Sequence, residues 1–253
     1  MSGKHGGFGW KPDSPDDRDY QLAAPFAPEQ LPAHVDLTPH MPGVYNQGQL
    51  GSCTANAIAA LVEYQQHVQK EATGIPSRLF IYYCERVLEH SVNEDAGAEI
   101  RDGMKVVAKQ GAPPEGDWPY HIAKFAVKPP AKAYADAVKH EALAYKRVTQ
   151  TVQGVQGALA AGHPVVFGFS VYSSFESDEV AKTGIVPLPD VNNEELLGGH
   201  AVLAVGYDTA SLTFRVRNSW GTGWGQHGYF TMPFNYLLDK SLASDLWTLT
   251  RET

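Results

Sequence analysis

The chain has 253 residues, 43% of them hydrophobic and 19% charged, which excludes a disordered chain and leaves room for one large domain or two small ones packed together. Its formal net charge is -8 with no cluster of Lys and Arg, so nucleic acid is not an expected partner. No run of about 18 apolar residues suggests a membrane span, and two cysteines make no disulfide framework.

Residues 1 to 31 are rich in Gly, Pro and Asp and carry no periodic apolar pattern, so they read as an extended arm. The start of the arm lacks the apolar stretch of a secretory signal. The expectation is a cytoplasmic protein or one exported by a signal-independent route. "SCTANAIAALVEYQQHVQ" then repeats apolar residues (Ala57, Ile58, Leu61, Val62, Tyr64, Val68) at helical spacing. Ser52 is a candidate N-cap, which puts Cys53 at the first helical position. "PSRLFIYYCERVLEH" and "EIRDGMKVVAKQG" read as two further helices, the second stopped by Gly111. "APPEGDWPYHIAKFAVKPPAKAY" reads as loop with short turns.

After "VQGVQGALAAGHP", a short helix ending near Gly162, the pattern turns to strands: "VVFGFSV", "HAVLAVGYD", "LTFRVRNSW", "GYFTMP" and "DLWTLT". In "LTFRVRNSW", Leu212, Phe214 and Val216 alternate with Thr213, Arg215 and Arg217. A helical half followed by an antiparallel half predicts an α+β fold of two subdomains with a cleft between them. The expected division is an arm at 1–31, a helical subdomain at about 41–143 and a β subdomain at about 144–253. A hairpin turning at Thr209 would set His200 opposite Asn218, with Cβ atoms about 5 Å apart.

A nucleophilic cysteine needs a lowered thiol pKa. Unpaired N–H groups in the first turn of a helix favour the anion, and a neighbouring imidazole takes the thiol proton. A third group must orient that imidazole, and an Asn carbonyl oxygen serves. Cys53, His200 and Asn218 are the right residue types. The hairpin joins the last two, and nothing in the spacing alone joins Cys53 to them.

"QGQLGSC", "GGHAVLAVGYD" and "NSWGTGWGQHGYF", in that order, resemble the papain family of cysteine peptidases. The resemblance runs from about Val35 to about Leu249 and implies the family's two-subdomain fold, with a β-barrel-like right half. It also implies a catalytic domain at 32–253 and peptide or protein substrates. It makes Cys53 the nucleophile, His200 the general acid/base, Asn218 its orienter and Gln47 the side-chain donor of the oxyanion hole. Trp220 shields the His–Asn contact, and Trp224 lies in the loop beside it. By the same resemblance Gly97 and Ala98 lie along the substrate backbone, and Glu99, Ile100, Gly168 and Gly199 fall near the S2 wall. Small walls there imply a roomy pocket for a bulky apolar P2 residue.

Two positions depart from the pattern. Leu50 stands where the family has a disulfide cysteine, and Thr54 replaces the aromatic residue after the nucleophile. Cys84, amid aromatic residues on a helix, reads as inert core. The histidines show no metal spacing: "HEALA" at 140–144 ends in Ala where a zinc motif needs His, so no metal or cofactor is expected. Two other functions fit the same scaffold, a catalytically silent binding protein and an acyl transferase. The arm is too short for the family's helical pro-segment. It is either a surface strap or a short inhibitory peptide reaching the cleft, and the sequence gives no oligomeric state.

Overall fold

The computed structural model describes residues 3–23, 26–27, 30–70, 74–140 and 144–250. Most of the 140–144 stretch therefore lies outside the described residues. The first helix, α1 (Cys53–Val68), is buried on almost every side, as its Ala-rich, apolar make-up requires. It packs on α2 (Arg78–Leu88) and α3 (Ile100–Lys109). Ser77 caps α2 by accepting the Phe80 N–H at 3.2 Å, and Gly111, at φ 73°, follows the end of α3 as expected. Three helices were not expected. The first, α4 (Ala131–Ala137), follows Pro130 inside the segment read as loop. A proline just before a helix is preset for its start, and the Ala residues beyond it carry the turn.

Beyond α5 (Val152–Ala160) and α6 (Asp178–Thr183) the second half is a sheet. Its strands are β4 (Ala144–Arg147), β5 (Val165–Tyr172), β6 (Leu196–Asp208), β7 (Thr213–Arg217), β8 (Tyr229–Pro233) and β9 (Ala243–Thr250). A short helix, α7 (Phe234–Leu238), joins the last two. They are ordered β4-β9-β5-β6-β7-β8, and β2 (His34–Asp36) also pairs with β6. Among the described residues β4 and β8 do not pair with each other, so the antiparallel sheet stays open instead of closing into a barrel.

Strand β6 ties the halves together through its two-residue period. Ala201, Leu203 and Val205 enter the core shared with α1 to α3, while Val202 and Ala204 enter the core on the other face of the sheet. His200 shares the second face and packs against Phe169 and Phe175 there.

The hairpin register differs from the expected one. Asp208 pairs with Thr213, and an irregularity follows between Ala204 and Gly206. Leu212 belongs to the turn, exposed and at φ 53°, not to the apolar face with Phe214 and Val216. Arg217, on the other face, is buried, its guanidinium donating to the Pro42 and Gly43 carbonyls. The ladder ends at Leu203 and Arg217, so one more step sets Val202 opposite Asn218. His200 is the diagonal neighbour, which side chains of this length still reach.

Candidate active site

Cys53 opens α1 at its N-terminus. Gly51, two residues earlier, is held by its N–H donating to the Asp95 carboxylate at 3.0 Å. Ser52 holds the N-cap position, yet its hydroxyl makes no bond to a helix N–H. It pairs instead with the Tyr120 hydroxyl at 2.6 Å and accepts Asn56 Nδ2 at 3.1 Å. Thr54 turns its hydroxyl onto the buried Glu85 at 3.0 Å. Burial pushes the Glu85 carboxyl well above the usual range. Leu50 is packed in the core, filling its position by apolar contact.

His200 Nε2 lies 2.8 Å from Asn218 Oδ1. The Ser219 N–H donates to the same oxygen at 2.8 Å. Asn218 Oδ1 is therefore an acceptor, so His200 Nε2 carries the proton and Nδ1 is the bare nitrogen. Nδ1 makes no hydrogen bond to any described residue. Trp220 lies almost parallel to the imidazole, 4.9 Å between ring centroids, and Trp224 packs edge-on to Trp220 at 5.2 Å. These rings cover the His–Asn contact, and a dry contact of this kind is stronger than a solvated one. Gln47 is stitched to the same segment. Its N–H donates to the Ser219 carbonyl at 2.9 Å, and Ser219 Oγ donates to Gln47 Oε1 at 2.6 Å. That fixes the amide with Nε2 turned outward, where it donates to Leu50 O at 2.9 Å and Gly7 O at 3.1 Å.

Gly7 belongs to the arm, which lies across this site. The Gly7 N–H donates to Gly48 O at 3.0 Å and the Gly9 N–H to Gly199 O at 3.1 Å, while the Ala98 N–H donates to Gly9 O at 2.7 Å. Strand β1 (Trp10–Lys11) then pairs in parallel with β3 (Ala98–Glu99). Phe8 packs beside His200 and Trp220, each 6.2 Å between centroids. The path depends on glycine: a Cβ on Gly9 would stand 1.8 Å from Gly51 O, and one on Gly7 2.5 Å from Leu50 O. The Trp10 indole fills a pocket walled by Gly168 and Gly199, where added Cβ atoms would come within 1.9 Å and 2.7 Å of it. Its Nε1 donates to Asp245 Oδ2 at 3.1 Å. Gly97, at φ 71°, lets the body strand approach Gly9. Glu99 reaches past the pocket to Ser14, and Ile100 is buried in the helical core.

Under the arm Cys53 and His200 are both 0% exposed. Burial pushes the Cys53 thiol up to about 12, with Glu85 adding to the rise and the backbone of Ala201, Gly9 and Thr54 opposing it. Burial pulls His200 down to about 4 against its bond to Asn218. Thiol and imidazole are thus both neutral while the arm is in place, because loss of water removes the solvation an ion pair needs. Cys84 is buried apart from this site beside Tyr134. Ser219, Glu85, Asp245 and the arm residues that fill the cleft carried no site signal in the sequence beyond two aromatics, Phe8 and Trp10, set among glycines.

Residues 31–242 match the model of the papain family cysteine proteases. The chain is 43% identical to an uncharacterized peptidase C1-like protein of Acanthamoeba polyphaga mimivirus, over 97% of this chain and 87% of that one. It is 30% identical to a cathepsin L-like protein of Caenorhabditis elegans over 84% of its length, and spans 62% of that longer relative. Among solved structures it is similar to xylellain, a cysteine protease from Xylella fastidiosa, with a TM-score of 0.93 and 43% identity, covering 100% of this chain and 98% of that one. A digestive procathepsin L of Tenebrio molitor shares the fold at 21% identity and a TM-score of 0.71, over 92% of this chain and 74% of that one.

Proposed function

This chain belongs to the papain family of cysteine proteases, and from that premise we propose that Cys53, His200, Asn218 and Gln47 carry peptide-bond hydrolysis under the control of the N-terminal arm. The observation that carries the reading is the peptide already in the groove: Gly7 presents its carbonyl to Gln47 Nε2 while Gly9 bonds Ala98 and Gly199.

With the arm lifted, water re-enters and the thiol proton passes to the bare Nδ1 of His200, the helix N-terminus favouring the thiolate. Cys53 Sγ attacks the scissile carbonyl carbon, and the developing oxyanion accepts from Gln47 Nε2 and the Cys53 N–H. His200 gives its proton to the leaving amine as the acyl-enzyme forms. It then takes a proton from water, whose oxygen attacks the thioester and frees the thiolate. Asn218 holds the imidazole in the tautomer this requires, and Trp220 keeps the holding bond dry. Ser219 positions Gln47 and Asn218 together. Water is the acceptor in this account.

The Trp10 pocket is the S2 site of this reading, walled by Gly168 and Gly199, and suits a bulky P2 side chain. The arm inhibits twice. It blocks the groove, and it keeps the catalytic pair neutral. The test is hydrolysis of short peptides with an aromatic P2 residue. Cys53→Ala should remove turnover, and removal of one oxyanion donor in Gln47→Ala should cost on the order of 10²–10³ in rate. Unchanged hydrolysis by Cys53→Ala would refute the mechanism.

A further inference from the structure

Past the Trp10 pocket the arm carries two carboxylates into a set of donors that all belong to the body. Asp13 accepts from the Arg101 backbone N–H in the first turn of α3 at 3.0 Å, from Trp247 Nε1 at 2.7 Å and from Arg147 Nη2 at 3.1 Å. Asp19 bridges the two guanidinium groups, accepting from Arg101 Nε and Nη2 at 3.0 and 2.6 Å and from Arg147 Nε at 3.0 Å. The donors sit on α3, β4 and β9. Arg147 lies over the Trp247 ring at 4.4 Å, and Arg101 is only 3% exposed. Glu99, the N-cap of α3, makes no side-chain bond to the first turn. The donors all belong to the body, where both guanidinium groups lie over the Trp247 ring, and the arm supplies the acceptors: two carboxylates and the Ser14 carbonyl oxygen.

Lifting the arm strips this cradle. Trp247 Nε1 and the Arg101 N–H lose their acceptor, and donors buried without one are costly. The body keeps one carboxylate there, Asp245, with Oδ1 3.6 Å from Arg147 Nη1. Two guanidinium groups and one carboxylate leave a single positive charge. Among the described residues Glu89 and Glu99 make no hydrogen bond to the cradle donors, and Glu89 Oε1 accepts the Glu99 N–H of the body at 2.8 Å. One peptide carboxylate would restore both neutrality and hydrogen bonding.

We propose that Arg101, Arg147 and Trp247 form a substrate subsite that binds one Asp or Glu side chain on the stretch of peptide N-terminal to the residue in the Trp10 pocket. The proposal rests on the reading of the arm's path as the substrate groove, which the arm follows in reverse: it runs from Gly7 at Gln47, through Trp10, to Asp13 in the cradle, whereas the N-terminal end of a substrate lies on the cradle side. It makes this protein selective for acidic peptide segments that precede a bulky P2 residue.

The test uses full-length protein carrying Trp10→Ala, Asp13→Ala and Asp19→Ala, which lifts the arm from both the pocket and the cradle, with Cys53→Ala so that no peptide is cut. Fluorescence anisotropy compares labelled peptides with Trp at P2 and one Glu or Gln moved through the three positions before it. At one position Glu should bind at least about tenfold tighter than Gln, the scale of a charge-assisted contact. Arg147→Gln and Arg101→Gln should each bring the ratio close to one. Arg147 is partly exposed, so its variant decides the point if the buried Arg101 variant does not fold. Equal binding at every position, no binding of either peptide, or a ratio that survives Arg147→Gln overturns the proposal. With Cys53 restored, hydrolysis in the same arm variant reports on the peptidase reading separately. Its absence would count against that reading while the binding ratio still judges the subsite.

Discussion

Trp10→Ala should open the enzyme. The indole is 9% exposed with the arm in place and is held there by Gly168, Gly199 and the Asp245 carboxylate. Once the arm lifts, the indole is solvated and its removal costs nothing, so the whole penalty of truncation falls on the closed state. Truncating a buried Trp to Ala typically costs about 3–5 kcal/mol. At about 1.4 kcal/mol per tenfold, the open fraction rises by a factor between roughly 10² and several times 10³. The rate of hydrolysis of a small peptide should rise by a similar factor, up to the point where most molecules are open. The assay is kcat/KM on a peptide with an aromatic P2 residue, with the melting temperature measured in parallel. A folded Trp10→Ala protein that hydrolyses no faster than the parent would refute the inhibitory role of the arm.

Gly9→Ala should activate as well, since its Cβ would stand 1.8 Å from the Gly51 carbonyl oxygen and backbone cannot give way there; peptide hydrolysis and proteolytic nicking of the arm should rise together. Docking of the arm should weaken as pH rises. Burial first, and the facing Asp245 carboxylate second, push Asp13 up to about 7 from the ordinary 3.8, against its bonds to Arg101, Trp247 and Arg147. With Asp19 and Asp245 already balancing the two guanidinium groups, Asp13 is the surplus carboxylate, so the docked state binds the proton more tightly than the free arm. Docking is strongest below about pH 4 and loses up to about 1.4 kcal/mol per pH unit on the way to about 7. Hydrogen exchange of residues 7–19, corrected for the chemical rate, should show more opening at pH 8 than at pH 5, and Asp13→Asn should flatten the difference. Asn218→Ala should keep partial activity, because it removes an orienting bond and no reacting group; loss as complete as in Cys53→Ala would contradict that role. A P2 library read on Trp10→Ala protein should favour Phe, Tyr and Trp, and a preference for Gly would contradict the open pocket.

Much of the fold was legible because its elements obey simple periods. The 3.6-residue repeat of α1 and the two-residue repeat of β6 name both cores, and Gly111 marks the end of α3. The hairpin register was not legible, since turn length and the irregularity at Ala204 to Gly206 are set by tertiary packing, and a two-residue offset leaves the same face inward. His200 and Asn218 still meet because diagonal side chains on one face are within reach. The motifs carry the candidate residues themselves. What they omit is Ser219, which joins Gln47 to Asn218, and the buried Glu85 under Thr54. Both act through contacts made by residues distant in sequence. The arm illustrates the limit most clearly. Its glycines and prolines spell extended chain, and Phe8 and Trp10 look like stray aromatics until the groove that receives them is built from Gly48, Ala98, Gly168 and Gly199.

The central claim, a Cys53 nucleophile silenced by the arm, is tested most directly by labelling with a thiol-directed epoxide, read by intact mass and peptide mapping. Full-length protein should label slowly, and Trp10→Ala protein should take up one adduct quickly, at Cys53 alone. Equal rates in the two proteins, or an adduct at Cys84 in place of Cys53, would contradict the account.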